Sequence, residues 1–374
     1  MVTTTVGNII SQIEQFAPPH LAEGWDPIGL IFGTKDQRVS EVMVALDLDQ
    51  DTLKEAIDQE IDLIVTHHPP IFNKLQTLNG EDLRRRQYID LIKHDIALYA
   101  AHTNLDAATG GVNDWLADAI EMSSNREIVT VTRQEAQYQL TVFVPEAEKQ
   151  AVVEAILERI TFSEHYTDVY YESSGIGHFT PTAGADPAIG TVGEAEQTAE
   201  SRLEFLVNEP ELSTVLQALR GAHPYEEPVY NVVQLQSNGQ AYGYGRVGTV
   251  GKSTPELAQH IMKTFDVSGV RYGTHDETRV HERVAIFGGA GSSSFEAAKQ
   301  KGATLYITGD ISYHTAQDMM RAGLDFIDMG HYTEHIIVPR LAEKLETFSQ
   351  EQNWSIKIHE ATSQSDMFQY ISKQ

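Results

Sequence analysis

Two distant parts of the chain alternate short apolar runs with amphipathic segments, and this alternation constrains the fold more than any other feature. In residues 1–125, apolar runs such as 41–47 and 61–66 are separated by segments whose apolar residues have helical spacing. Residues 280–374 repeat the alternation. Strands joined through helices pair in parallel, so the pattern predicts an α/β fold with two pseudo-symmetric, doubly wound lobes.

The middle of the chain has a different order of elements. Its patterns predict strands at 138–144, 202–207 and 229–235 and helices at 146–161 and 210–222. A β-α-β-β-α-β order is the ferredoxin-like α+β arrangement. The sequence therefore predicts a discontinuous core, residues 1–126 and 241–374, and an inserted ferredoxin-like domain at 127–240.

Composition excludes several kinds of protein. The formal net charge is -27, with 54 acidic and 27 basic residues, which argues against nucleic acid or an anionic membrane surface as a partner. The absence of cysteine excludes disulfides, thiolate-bound metals and a cysteine nucleophile. The first residues have no positively charged leader pattern, and no apolar run approaches the roughly 20 residues of a membrane span. We therefore expect a cytoplasmic protein.

Metal-ligand residues follow three of the predicted strands directly. They are His67 and His68 after the first strand, His102 and Asp106 after the second, and His331 and Glu334 after the third. Ligands of open α/β sheets gather beyond the carboxyl ends of the strands. Nitrogen and carboxylate ligands suit zinc, iron, manganese or cobalt better than calcium or magnesium. We therefore predict a site for two divalent ions, which Asp106 could bridge.

Each of these residues also has a structural interpretation. A neighbouring pair of histidines is commonly solvated or hydrogen-bonded within the fold, and Asp106 could be a turn residue. Glu334 could be an acid in a first helical turn, where the helix dipole favours negative charge. The metal hypothesis therefore depends on the six residues meeting in space.

Further candidate residues lie outside these six. Gly289 and Gly291 follow a strand and precede a helix, so their amides could hold a phosphate or carboxylate, or could simply form a tight turn. Asp310 and His314 could be outer partners of the metal ligands, with His314 as a catalytic proton shuttle, or could cap their own helix. The run from His223 to Pro228 could be a further metal or effector site, or a rigid turn.

The chain resembles the NGG-interacting-factor-three family, a hexameric dinuclear-metal family also labelled GTP cyclohydrolase I type 2-like. The matching motifs are Gly24-Trp25-Asp26, Thr66-His67-His68-Pro69-Pro70, His102-Thr103-Asn104-Leu105-Asp106, Gly110-Gly111-Val112-Asn113-Asp114, Gly309-Asp310 with His314, and Gly330-His331-Tyr332-Thr333-Glu334. They span nearly the whole chain. The middle segment is similar to the PII-like and CutA-like insert of the longer bacterial members.

The resemblance implies a specific set of properties. The six histidine and carboxylate residues would ligate two divalent ions, with zinc favoured over iron or manganese, and Asp106 would act in catalysis as the bridge. The implied function is metal-dependent hydrolysis of a small molecule, such as a nucleotide, by a homohexamer, with a GTP cyclohydrolase I type 2-like activity. The alternative is a non-catalytic hexamer that serves as a metallochaperone or as an effector-sensing scaffold.

Overall fold

The structure, a computed structural model, describes residues 4–162 and 165–371. Within it the chain forms two compact units: Met1–Arg133 with Tyr242–Gln374, and Gln134–Ala241. The divisions fall inside two long strands that run through both units, whereas the sequence places them at 126/127 and 240/241. Each unit is therefore described separately.

The first lobe of the larger unit is built around one mixed sheet. Helix α1 begins at a capped residue, since the Thr5 hydroxyl accepts a hydrogen bond from the backbone N–H of Asn8. The elements in chain order are α1 (Val6–Phe16), β1 (Gly29–Phe32), β2 (Glu41–Ala45), α2 (Gln50–Asp58), β3 (Leu63–Thr66), α3 (Leu83–Lys93), β4 (Ala97–Ala100), α4 (Thr103–Ala107) and α5 (Val112–Ala119). Strands β2, β3 and β4 are parallel, and β1 pairs antiparallel with β4.

The described part of the smaller unit contains two α-helices, two whole strands and parts of two further strands. Its elements are β5 (Glu127–Pro145), α6 (Lys149–Leu157), β6 (Tyr171–Phe179), β7 (Glu196–Asn208), α7 (Leu212–Ala222) and β8 (Tyr230–Ser253). The strand order is β6-β7-β5-β8, which is the ferredoxin-like topology. Alternate residues of β5 and β7, such as Leu140, Val142 and Phe205, pack with the helices in a core of this unit.

The second lobe repeats the order of elements of the first. It comprises α8 (Thr254–Thr264), β9 (Arg271–Gly273), β10 (Val280–Ile286), α9 (Phe295–Gln300), β11 (Leu305–Thr308), α10 (Tyr313–Arg321), β12 (Asp325–Asp328), α11 (Ile337–Glu351) and β13 (Lys357–Glu360). Strands β10, β11 and β12 are parallel, and β9 pairs antiparallel with β12 as β1 does with β4. Strand β13 returns to the first lobe and pairs with β2.

Helices cover both faces of the two sheets. Helices α1, α5, α8 and α11 pack on one core that includes buried residues of both sheets, such as Val65 and Ile307. Helices α2 and α3 pack on the other face of the first sheet, and α9 and α10 on the other face of the second. The molecule is thus mixed α/β, with helices on both sides of each sheet. The antiparallel strands β1 and β9 correct the prediction of purely parallel lobes; both are only partly buried, so neither has the pattern of a buried strand.

A buried ion pair connects the two lobes. The guanidinium of Arg246, on β8 beside β10, is 4% exposed and donates two hydrogen bonds, of 2.9 and 2.7 Å, to the carboxylate of Asp114 on α5. Among the described residues, no helix is both long and apolar enough to cross a membrane.

Candidate metal centre

The carboxyl ends of both sheets meet at one cleft of the larger unit. His67 and His68 follow β3, His102 follows β4, and His331 follows β12. The backbone N–H groups of His67 and His68 still donate to the carbonyls of Ala45 and Leu46, so the parallel ladder extends to the histidine pair. The sheet itself therefore fixes the position of this pair.

His67 is fully buried, and its imidazole is held in one orientation. Its Nδ1 donates a 2.8 Å hydrogen bond to the carbonyl of Ala101, which leaves the lone pair on Nε2. Nε2 lies 3.5 Å from Oδ1 of Asp106, and neither atom has a hydrogen-bond partner although both are buried. Burial lowers the pKa of His67 to about 3, so this imidazole is neutral and suited to binding a metal.

His68 lies between two carboxylates. Its Nδ1 is 2.8 Å from Oδ1 of Asp47, and its Nε2 is 3.1 Å from Oε2 of Glu334. Burial alone would lower the pKa of His68, but the hydrogen bonds to Asp47 and Glu334 raise it to about 10. A metal would have to displace this proton from Nε2.

The last two imidazoles are oriented by carboxylates in the same way. His102 Nδ1 is 3.0 Å from Oδ1 of Asp26, and His331 Nδ1 is 2.7 Å from Oδ2 of Asp310. A carboxylate or carbonyl on Nδ1 is the usual outer partner of a metal-binding histidine, because it fixes the ring and leaves Nε2 for the metal. All four histidines have such a partner.

Glu334 is the carboxylate nearest to most of the other ligand atoms. Its Oε2 lies 3.1 Å from His68 Nε2, 3.2 Å from His331 Nε2 and 3.9 Å from His67 Nε2. His331 and Glu334 belong to a 3₁₀-helix, His331–Ile336, in which side chains three residues apart eclipse each other. Hydrogen bonds to His331 raise its pKa to about 9, and those from both histidines keep the pKa of Glu334 low despite burial.

The six predicted ligands are brought together. Among the described residues, the groups that could hold a metal are all drawn from these six, and within each group the ligand atoms lie within 4.8 Å of one another. The three groups are His67, His68 and His102; His68, His331 and Glu334; and His67, Asp106 and Glu334. Glu334 belongs to two of these groups and Asp106 to one, so Glu334 is also placed where it could bridge two ions.

The glycine-rich turn after β10 makes room for Glu334. A Cβ at Gly288 would lie 3.1 Å from Oε1 of Glu334, and one at Gly289 would lie 2.8 Å from the same atom. Gly289 also has a positive φ of 53°, which favours glycine. Gly291 has a different role, because its N–H donates to the hydroxyl of Thr308 at 2.9 Å. That amide is occupied, which corrects its interpretation as a substrate contact in favour of a tight turn.

Of the other predicted residues, one joins the site and one does not. Asp310 orients His331. His314 is exposed on α10, its ring contacts that of Tyr313, and it is not part of the cleft wall. The structure therefore gives no support to His314 as a catalytic proton shuttle, since it lies away from the metal-ligand atoms.

Three supporting residues were missed from the sequence. Asp47 lies two residues after the end of β2, so the strand-end pattern that revealed the histidines could also have revealed it. Asp26 lies in one of the motifs that carry the family resemblance, but no local pattern pairs it with His102, which is 76 residues away. Gln364 accepts from the N–H of Leu46 and donates to the carbonyl of Asp47, which ties the end of the chain to the site.

The cleft above the six ligands has a volume of about 770 Å³, within the range of small-molecule sites. Trp25 and Phe72 are 64% and 52% exposed at its wall, and each ring lies about 6 Å from the ring of His102. Arg84 is the one arginine or lysine among the lining residues. The cleft therefore combines aromatic surface with a guanidinium group able to attract an anion.

Comparison with known proteins assigns the chain to a family. The family profile of Duf34/NIF3 (NGG1p interacting factor 3) matches residues 4–366. The chain belongs to this family. The resemblance drawn from the motifs is thus confirmed.

Duf34/NIF3 relatives match over nearly the full length. A Bacillus subtilis (strain 168) protein named GTP cyclohydrolase 1 type 2 homolog is 38% identical over 367 residues, which cover 97% of this chain and 98% of the relative. The crystal structure of a Bacillus cereus protein related to NIF3 has a TM-score of 0.91 at 33% identity and covers 99% of this chain and 100% of the other. A Staphylococcus aureus protein has a TM-score of 0.80 at 28% identity, with the same coverage.

Proposed function

We propose that this Duf34/NIF3 protein is a metal-dependent hydrolase with two divalent ions per chain. The observation that carries the proposal is the pair of buried, unpartnered atoms His67 Nε2 and Asp106 Oδ1. A buried polar atom without a partner costs about 1–3 kcal/mol. A cation between the two atoms would satisfy both, so the residues present fit a metal.

The donor set favours borderline metals. Four imidazoles and two carboxylates suit zinc, with iron or manganese as alternatives, better than calcium, which is bound mainly by oxygen ligands. His67, His68, His102 and His331 would ligate through Nε2, and Asp106 and Glu334 through carboxylate oxygens. When bound, such a pair of ions would act as Lewis acids and make a nearby water more acidic.

The chain's own residues would complete the chemistry. Asp47, Asp26 and Asp310 hold three imidazoles in position, so little reorganisation is needed when substrate enters. Burial and the charge of Glu334 raise the pKa of Asp106, and a cation bound at this carboxylate would stabilise its ionised form. Arg84 would attract an anionic group of the substrate into a cleft that is otherwise acidic.

The relatives' name points to one substrate. A GTP cyclohydrolase I type 2-like reaction would open the guanine ring of GTP and release formate; a phosphoester or a cyclic amide would suit the same chemistry. We propose small molecules as the general class of substrate and GTP as the first substrate to test. The homohexamer and the cytoplasmic location stay predictions.

The test separates metal binding from turnover. The full chain is loaded with zinc, iron(II) or manganese and offered GTP and a panel of phosphoesters, with metal content measured on the same samples. We expect turnover in the wild type and a loss of at least about 100-fold in Asp106→Ala, because the variant lacks one of the carboxylate ligands. Asp118→Ala, an exposed acid on α5, is the matched control.

Two outcomes would contradict the proposal. Full metal content without turnover of any substrate would favour the non-catalytic scaffold. Turnover that persists unchanged in Asp106→Ala would place the chemistry elsewhere.

A further inference from the structure

The smaller unit contains a cavity of about 550 Å³ that the metal centre does not involve. It lies between the β6–β7 connection and the turn that follows α7. Its wall combines three aromatic rings with three carboxylates, on Phe143, Phe179, Glu200, Tyr225, Glu226 and Glu227. A volume of this size suits a small organic ligand.

Hydrogen bonds shape the wall before any ligand arrives. His223 Nε2 donates to the carbonyl of Phe143 at 2.9 Å, and His223 Nδ1 accepts from the N–H of Tyr225 at 3.1 Å. The Tyr225 hydroxyl then donates to Oε1 of Glu200 at 2.8 Å, and the Phe179 ring packs edge-on against Tyr225 at 5.6 Å. The aromatic and carboxylate groups are thus preorganised.

A metal ion does not fit this cavity. Both nitrogens of His223 are occupied by backbone groups. No cluster of metal-ligand atoms occurs there within the part of the chain that the structure describes. The structure therefore gives no support to a metal site at His223–Pro228.

The charge of the wall selects the sign of the ligand. The lining residues include three glutamates but neither lysine nor arginine. Glu200 is half-buried and forms no salt bridge with any residue in the described ranges 4–162 and 165–371. Gly177 leaves space for its carboxylate, since a Cβ there would lie 2.4 Å from it. An anion would be repelled, whereas a cation would neutralise the Glu200 carboxylate, which among the described residues accepts a hydrogen bond from the Tyr225 hydroxyl alone.

We propose that this cavity binds a small organic cation: an ammonium or guanidinium group on an apolar body. The cationic group lies against the carboxylate of Glu200. The faces of Tyr225 and Phe179 contact the carbon atoms beside the charge, where a ring quadrupole attracts a cation. Val229 and Ile189 complete the apolar wall.

Calorimetry with three matched probes tests the proposal on the full, metal-loaded chain. The probes share one phenyl ring and differ in charge: 2-phenylethylammonium, 2-phenylethanol and 3-phenylpropanoate. We expect the ammonium probe to bind at least about tenfold more tightly than the alcohol, and the carboxylate probe not to bind. Equal affinity for ammonium and alcohol, or no ammonium binding up to about 10 mM, would overturn the proposal.

Two variants locate the binding. Glu200→Gln keeps the shape of the side chain and should weaken ammonium binding about tenfold, while alcohol binding stays the same. Glu204→Gln, on the same strand outside the cavity, should change neither. Phe179→Ala should weaken both probes, which keeps the test decisive if Glu200→Gln folds poorly. Unchanged ammonium affinity in both Glu200→Gln and Phe179→Ala would show that the probe binds elsewhere.

Discussion

The two lobes of the larger unit have the same order of elements but different residues at their strand ends. After β4, His102 is followed four residues later by Asp106; after β12, His331 is followed three residues later by Glu334. The lobes differ at the strands that precede β4 and β12. Strand β3 leads into His67 and His68, whereas β11 leads into Gly309 and Asp310. One lobe therefore contributes four candidate ligands and the other contributes two.

Close packing explains why the second lobe has fewer ligands. A Cβ at Gly309 would lie 2.9 Å from the carbonyl oxygen of Gly289 and 3.0 Å from the backbone nitrogen of His331. An imidazole in this place would displace the turn that makes room for Glu334. The comparison shows that the sheets determine where side chains meet, while the turns determine which side chains can be there.

The largest expected loss of stability is that of Asp114→Ala, which breaks the contact between the lobes. This change leaves the buried guanidinium of Arg246 without its carboxylate, so we expect a loss of about 3 kcal/mol in the free energy of unfolding. Urea unfolding followed by tryptophan fluorescence measures it, because Trp25, Trp115 and Trp354 all belong to the larger unit. Asp118→Ala, which removes an exposed partner of Arg126, should cost less than about 1 kcal/mol. Equal losses in the two variants would contradict this account.

Glu334→Gln tests whether the second lobe's carboxylate is central to the site. It lies near three imidazoles from both lobes, so we expect metal affinity to fall by more than about 100-fold, which exceeds the effect of removing an outer partner. Competition with a chelator, followed by elemental analysis, provides the measurement. Glu343→Gln, an exposed glutamate on α11, is the control. Unchanged metal content in Glu334→Gln would restrict the centre to the first lobe.

Asp26→Asn and Asp310→Asn compare the supporting carboxylates of the two lobes. Asp26 is buried and also accepts from the N–H and hydroxyl of Thr103, whereas the side chain of Asp310 is 48% exposed. We expect metal affinity to fall about 100-fold in Asp26→Asn and about tenfold in Asp310→Asn. The same chelator competition measures the metal affinity of both variants. A larger loss for Asp310→Asn would contradict the expectation that the supporting carboxylate of the first lobe contributes more.

The smallest expected effect is the pH dependence of the contact between the lobes. Burial alone would raise the pKa of Asp114, but hydrogen bonds from Arg246 hold it below its ordinary value. A carboxyl with a lowered folded pKa stabilises the protein above its unfolded pKa and loses this contribution as the pH falls through the folded value. The stability difference between wild type and Asp114→Ala should therefore shrink by about 1 kcal/mol between about pH 5 and pH 3. A difference that stays constant over this range would exclude the titration of Asp114.

Sequence predicted the parts of the fold and site that depend on local patterns. The runs of β3, β4 and β12 are buried strands, and the residues after them provide all six candidate ligands. The end of a strand can be predicted from the sequence because the apolar run and the polar residue that follows it are neighbours in the chain.

Features that depend on distant partners could not be read in this way. Strands β1, β9 and β13 are only partly buried, unlike the fully buried β3, β4 and β12, and they are defined by the strands beside them. His314 has the right residue type and follows a strand, but the first turn of α10 leaves it exposed. Residue type and spacing cannot predict the direction of a side chain at a helix start.

Strand β13 also has a consequence for how the protein is made. The outer edge of β2 has no partner until residues 357–360 have been synthesised, so most of the nascent polypeptide exposes an open ladder of N–H and C=O groups. Gln364, which braces Asp47, emerges from the ribosome later still. The residues around the candidate site are thus expected to reach their final positions only after residue 364 has been translated.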